Sequence, residues 1–231
     1  MEKIYRIGTR TSPLALKQVD EVLESLRKFY PDIKAEVVGI DTYGDKDKQT
    51  PISDIEGSDF FTKEIDQALI SGQIDFAVHS AKDLADTLNE SLLLAAVTDS
   101  IDPYDVIVSK GDVQLNDLAK GAKIGTSSKR RKEQIKKYRP DFEIIDIRGN
   151  IGQRLKLLDE SGLDAVLLAA AGLIRLGLEE RISQRISISI VQPHPLQGAL
   201  AIVVKKASNE LLKLLSVLDQ SNLKSKVFLR R

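Results

Sequence analysis

The sequence predicts an α/β fold built from two small domains, and three observations carry that prediction. Apolar segments of strand length alternate with segments of helical periodicity along most of the chain. Single helices separate successive strands, which implies parallel pairing, because a parallel crossover needs a helix-length connection. Two proline-containing stretches, residues 99–103 and Gln192-Pro193-His194-Pro195, interrupt the alternation as crossings between domains would. A chain of 231 residues and 25.6 kDa accommodates one large domain or two small ones.

Residues 3–8 read as the first strand. Ser12 then serves as a helix N-cap with Pro13 at the first helical position, where its missing N–H is no loss. Val19, Val22, Leu23 and Leu26 recur at helical spacing until Pro31, and residues 35–40 form the next strand. Phe61, Ile65 and Leu69 line one face of a helix that Gly72 terminates. Residues 74–78 are almost unbroken in apolar character, as in a strand buried on both faces. Beyond Pro103, residues 106–108 and 123–125 read as strands, and Ser127 or Ser128 caps a helix reaching about Tyr138. Residues 143–147 form a strand, Asn150 caps a helix ending near Gly162, and residues 165–169 and 186–191 are further strands. No internal repeat or low-complexity tract is present. The crossings assign 1–98 with 196–231 to a discontinuous first domain and 99–195 to a second. Lobes joined in this way commonly hold a ligand in the cleft between them.

Composition removes several classes of function. Lys plus Arg and Asp plus Glu each total 34, so no global field recruits nucleic acid or an acidic membrane. The absence of cysteine excludes disulfides, thiolate metal sites and any cysteine nucleophile or tether. No apolar run approaches the roughly 18–20 residues of a membrane span. The N-terminus lacks a signal peptide's apolar stretch, so a cytoplasmic protein is expected. His79 and His194 have no partner at ligand spacing, so no metal site is expected. Walker, G-x-S-x-G and G-x-G-x-x-G motifs are absent.

Ligands of parallel α/β sheets sit beyond the carboxyl ends of the strands. There the sequence places Arg10 and Ser12, then His79-Ser80-Ala81-Lys82-Asp83, then Thr126-Ser127-Ser128-Lys129-Arg130-Arg131. Arg148-Gly149-Asn150 with Arg154, and Arg175 on a short helix, follow later strands. Hydroxyls, helix-start amides and cations at one end of successive strands describe a cleft for a ligand with several carboxylates or phosphates. Seven of the eleven residues from 129 to 139 are basic, and Lys132, Lys136 and Lys137 read as a solvated face. Arg130 and Arg131 lie in the first helical turn, where positive charge opposes the macrodipole and calls for an anion. Asp83 is the single acid of the set. It reads either as an exposed ion pair with Lys82 or as a functional carboxylate able to stabilise a cation or move a proton.

At these residues the sequence resembles the porphobilinogen deaminase (hydroxymethylbilane synthase) family. The resemblance runs through residues 7–16, Asp75-Phe76-Ala77-Val78-His79-Ser80-Ala81-Lys82-Asp83, residues 125–131, Arg148-Gly149-Asn150, residues 168–177 and Gln197-Gly198-Ala199-Leu200. It implies two domains resembling type II periplasmic binding proteins, followed by a third. It also implies head-to-tail condensation of porphobilinogen into a linear tetrapyrrole with release of ammonia. Asp83 would be the catalytic carboxylate. Arg10, Ser12, Lys82, Thr126, Ser128, Arg130, Arg131, Arg148, Arg154 and Arg175 would bind the acetate and propionate arms of substrate, cofactor or growing chain.

Departures accompany the resemblance. The family tethers a dipyrromethane primer to a cysteine of its third domain; this sequence has no cysteine, and a remnant of that domain is expected from about residue 219. A covalent dipyrromethane is therefore excluded, whereas a noncovalent dipyrromethane or oligopyrrole remains open. Glu56-Gly57-Ser58-Asp59-Phe60-Phe61 replaces the family's Gly-Gly-Lys-Gly-Leu-Phe loop, Tyr43 replaces an arginine, Ala85 a proline and Leu196 a glycine. Three readings follow: a transferase with a noncovalent primer, a non-catalytic binding protein for a polycarboxylate, or a subunit completed by a partner chain supplying the third domain. Retention of Asp83 favours the first.

Overall fold

A computed structural model describes residues 3–47, 59–85 and 87–220. The loop positions Glu56-Gly57-Ser58, and the expected third-domain remnant beyond residue 220, lie outside the described residues. The described chain divides into two compact units, one of residues 3–47, 59–100 and 199–220 and one of residues 101–198.

The first unit opens with β1 (Ile4–Arg10) and α1 (Pro13–Arg27). The Ser12 hydroxyl accepts from the Ala15 amide at 3.3 Å, and Val19, Val22, Leu23 and Leu26 form the helix's buried stripe. There follow β2 (Lys34–Ile40), the single turn α2 (Tyr43–Lys46) and α3 (Lys63–Ser71). Gly72 ends α3 at φ 75°, a left-handed conformation that glycine adopts without steric cost. Phe61 precedes this helix instead of lying on its face, because the helix starts only after Thr62. Then come β3 (Phe76–Ser80), a short 3₁₀ turn at Ala81–Asp83 and β4 (Leu92–Val97).

The second unit contains β5 (Asp105–Ser109), β6 (Lys123–Gly125), α4 (Lys129–Tyr138), β7 (Glu143–Ile145), α5 (Ile151–Glu160), β8 (Ala165–Ala169), α6 (Ala170–Arg175) and β9 (Gln184–Arg185). β7 stops short of residue 147. There the buried Ser127 hydroxyl donates to the Ile147 carbonyl at 2.7 Å and accepts from its amide at 2.9 Å, replacing ladder bonds. Asn150 and Gln153 form a reciprocal capping box at the start of α5. The strand expected at 186–191 is instead a turn. The Ser187 carbonyl accepts from the Ile190 and Val191 amides, and Ile188 is 57% exposed.

The chain returns to the first unit as β10 (Leu200–Lys205) and ends its described part in α7 (Asn209–Leu215) and a 3₁₀ turn. Each unit carries a five-stranded sheet, in the orders β2-β1-β3-β10-β4 and β7-β6-β8-β5-β9. Three neighbouring strands in each are parallel; β10 runs antiparallel to β3 and β4, and β5 antiparallel to β8 and β9. The expectation of purely parallel pairing is thus corrected. The antiparallel strands are those that enter directly from the crossings, where no intervening helix reverses the path. Ile7, Leu26, Phe76, Ile202 and Leu215 anchor the first core; Ile124, Ile135, Phe142 and Leu167 lie on one side of the second sheet's core residues and Leu155, Leu158, Val166 and Leu173 in a separate cluster. Among the described residues no helix is long and apolar enough to cross a membrane.

Candidate functional site

In the first unit the ends of β1 and β3 bring Arg10, Ser12 and Asp83 to one cavity of about 60 Å³. Gln18, Phe61, His79 and Ser80 also line it. The Arg10 Nε donates to both Asp45 oxygens at 3.1 and 3.2 Å, and its guanidinium stacks over the Phe61 ring at 4.6 Å. Burial alone would raise the Asp45 carboxyl, but Arg10 and Thr42 hold it below its ordinary value. Ser12 sits at the α1 N-terminus, where helix amides converge. Gln18 donates from Nε2 to the Ser80 hydroxyl at 2.8 Å, which fixes that hydroxyl beside the cavity.

Asp83 closes the 3₁₀ turn after β3 with an exposed side chain. No ion pair joins it to Lys82 among the described residues, so the purely structural pair allowed by the sequence does not form. Lys82 occupies the same turn, half-buried, and is not part of the cavity lining. His79 is buried, and its Nε2 has no hydrogen-bond partner. Burial first, and then Arg10, push this imidazole down to about 4, with Asp83 acting in the opposite sense. It is therefore neutral at physiological pH.

In the second unit Thr126 is buried at the end of β6, and its hydroxyl accepts from the Ser128 amide at 3.4 Å. Ser128 occupies the N-cap of α4, with no capping bond from its hydroxyl. Arg130 and Arg131 converge on Asp105, whose side chain is fully buried. Arg131 donates to Asp105 Oδ1 from Nε at 2.9 Å and from Nη2 at 2.6 Å, and to the Leu167 carbonyl at 3.2 Å. Arg130 donates to Asp105 Oδ2 at 2.7 Å and to the Gln192 carbonyl. The anion that two first-turn cations require is thus supplied by the chain itself. Arg131, with a side chain 7% exposed, belongs to the interior, whereas Arg130 is 24% exposed. Arg154 donates to the Gly149 carbonyl at 2.8 Å, beside half-buried Arg148, and Arg175 donates to the Gly198 carbonyl at 2.8 Å.

Sequence reasoning named the cations but missed Gln18, Asp45, Asp105 and Gln197, the groups that hold hydroxyls and guanidiniums in place. Gln18 carried a signal, since it is a polar residue on the apolar stripe of α1. Asp105 carried a weaker one, an acid heading an apolar strand.

A family described as "Porphobilinogen deaminase, dipyromethane cofactor binding domain" matches residues 5–213. The chain is 47% identical over 217 residues to a porphobilinogen deaminase of Natranaerobius thermophilus, covering 94% of this chain and 70% of that protein. It is 44% identical over 214 residues to one of Xanthomonas axonopodis pv. citri, covering 93% and 70%. Solved structures similar in fold include the methionine binding protein MetQ, with TM-score 0.58 and 13% identity over 97% of this chain and 95% of that one. Another is the Bordetella pertussis BvgS VFT2 domain, with TM-score 0.53 and 14% identity over 98% and 92%. These likenesses show two α/β units of the periplasmic-binding-protein type.

Proposed function

The chain belongs to the porphobilinogen deaminase family, and from that membership we propose that it condenses porphobilinogen into linear oligopyrroles in the cytoplasm, with a primer held noncovalently. The observation that carries this reading is the first unit's cavity, where the Asp83 carboxylate shares a lining with Arg10 and Ser12. In the proposed reaction the aminomethyl C–N bond of porphobilinogen breaks and ammonia leaves with the electron pair. Asp83 balances the resulting azafulvenium-like cation. A C–C bond then forms to a neighbouring pyrrole α-carbon, which loses its proton.

The 231 residues hold no thiol, so they offer no covalent anchor for a dipyrromethane. They do suit its carboxylate arms. The Arg130 guanidinium has five N–H donors, of which Asp105 and Gln192 occupy two. Arg10, Ser12, Lys82, Thr126, Ser128, Arg148, Arg154 and Arg175 are the other groups proposed to hold substrate or primer arms, and Arg131 acts from beneath by fixing Asp105. When bound, a dipyrromethane would supply the nucleophilic pyrrole α-carbon for the first porphobilinogen. Charge-assisted hydrogen bonds contribute about 1.5–3 kcal/mol each, so a few of them suffice to retain such a group.

Incubation of the purified protein with porphobilinogen tests the reading. Ammonia and free linear oligopyrroles are expected, with the protein mass unchanged at 25.6 kDa. Binding without ammonia release would instead support the second reading, a polycarboxylate-binding protein. That alternative is favoured by Glu56-Gly57-Ser58-Asp59, which loses the family's lysine at Ser58 and gains acids at the flanking positions 56 and 59.

A further inference from the structure

The buried cluster at the start of α4 assigns a task to a residue outside the anion-binding set. Asp105 is fully buried, and its carboxylate receives the Arg131 Nε and Nη2, the Arg130 Nη2 and the Gln197 Nε2, the last at 2.9 Å. Gln197 also donates to the Pro103 carbonyl at 2.8 Å, which ties the residues before β5 to those after β9. Two guanidiniums meet one carboxylate here, so these three groups together keep one positive charge. Burial decides where that charge is available: Arg131 is 7% exposed and Arg130 24%. Arg130 is also held from its other side, because Nη1 donates to the Gln192 carbonyl. A guanidinium fixed at two corners presents its remaining donors in a set direction and loses little freedom when an anion docks.

We propose that Asp105 is a positioning residue: it neutralises Arg131 and orients Arg130 so that the exposed edge of Arg130 receives a carboxylate arm of a pyrrole dicarboxylate. This assignment rests on the reading of Arg130 as a ligand-binding group. Asp105 itself touches no ligand. A solely structural role would require only that Arg131's buried charge be matched.

The two roles separate in a paired neutral exchange, Asp105→Asn with Arg131→Gln, which removes both buried charges and leaves Arg130 in place. Porphobilinogen is the probe, titrated against native protein, Arg130→Ala and the double variant, with thermal unfolding alongside. The double variant should unfold within a few degrees of the native protein yet bind porphobilinogen at least tenfold more weakly, as Arg130→Ala does. Native-like affinity in the double variant, with Arg130→Ala impaired, would overturn the proposal. A second measurement needs neither ligand nor variant: ¹⁵N relaxation of the Arg130 Nε in the native protein. That nitrogen should be far more rigid than the Nε of exposed Arg27; equal mobility would overturn the positioning role. If native protein fails to bind porphobilinogen, the functional reading fails, and the Arg130 Nε relaxation repeated in the double variant still decides whether Asp105 orients Arg130: greater mobility there supports it, and unchanged rigidity overturns it.

Discussion

Asp83 and Arg131 show how differently two charged side chains of one motif set can be used. Asp83 is exposed, lines a cavity and has no ion-pair partner among the described residues, so its replacement should touch chemistry more than folding. Asp83→Asn is expected to abolish ammonia release from porphobilinogen while leaving ligand affinity within about tenfold; unchanged turnover would remove Asp83 from the mechanism. Arg131 is its opposite. Truncating it to alanine leaves Asp105 buried with only part of its compensation, and breaking a buried pair costs about 3–5 kcal/mol. Chemical denaturation should register that loss for Arg131→Ala and a much smaller one for Arg130→Ala, which is nearer the surface. The demand for an anion at Arg130 and Arg131 was legible from the helix macrodipole alone. Its source was not, because Asp105 lies 26 positions from Arg131 and only the sheet brings them together.

At the level of elements, local chemistry set the boundaries where it was strong. Ser12-Pro13, Asn150 and Gly72 mark helix ends through bonds or backbone conformations confined to a few residues, and the structure has them where the sequence placed them. The misread elements depended on distant partners. The alternation Ile186-Ser187-Ile188-Ser189-Ile190 imitates a strand, but pairing with β5 stops at Ile186, whose amide donates to the carbonyl of Asp105, the first residue of that strand, and the Ser187 carbonyl then closes a turn. β4 and β10 are continuous apolar runs, whose identity as strands depends on pairing with each other. The loop before α5 provides an element-scale test. Gly149 has φ 98°, and a Cβ there would sit 2.5 Å from Gln153 Oε1, within the capping box. Gly149→Ala should therefore destabilise the protein by about 1–2 kcal/mol, through backbone strain and a weakened cap. Because Arg154 donates to the Gly149 carbonyl, affinity for porphobilinogen should fall with it. A melting temperature equal to that of native protein would show that the loop relaxes freely and that the cap contributes nothing.

For the whole molecule, the two sheets repeat one topology without a detectable sequence repeat, and the formal charges cancel, so pH acts on stability through particular buried groups. His79 is pushed down to about 4 in the folded chain from an ordinary 6.5, so the unfolded state binds the proton first. Stability from this group is complete above pH 6.5 and is lost as pH falls toward 4, by at most about 3 kcal/mol. Asp66 does the reverse. Its carboxyl is raised to about 6 from 3.8, by burial and then by Asp59, so the folded state binds the proton first and stability rises as pH falls across 6 to 4. Discounted for its partial exposure, this amounts to about 1–2 kcal/mol. The two contributions oppose each other over nearly the same window, so the melting temperature should drift by only a few degrees between pH 7 and 4. Below pH 4 it should drop, as Asp45 and Asp75, held below their ordinary values by Arg10 and Arg6 against the upward pull of burial, take up protons. Removing one member exposes the other. Asp66→Asn should be the more stable protein at pH 7 and lose stability steeply from pH 6.5 to 4, whereas His79→Gln should gain stability over the same interval. Thermal unfolding of the three proteins across pH 4–7 decides it: parallel curves would mean that neither group senses the proton through its burial.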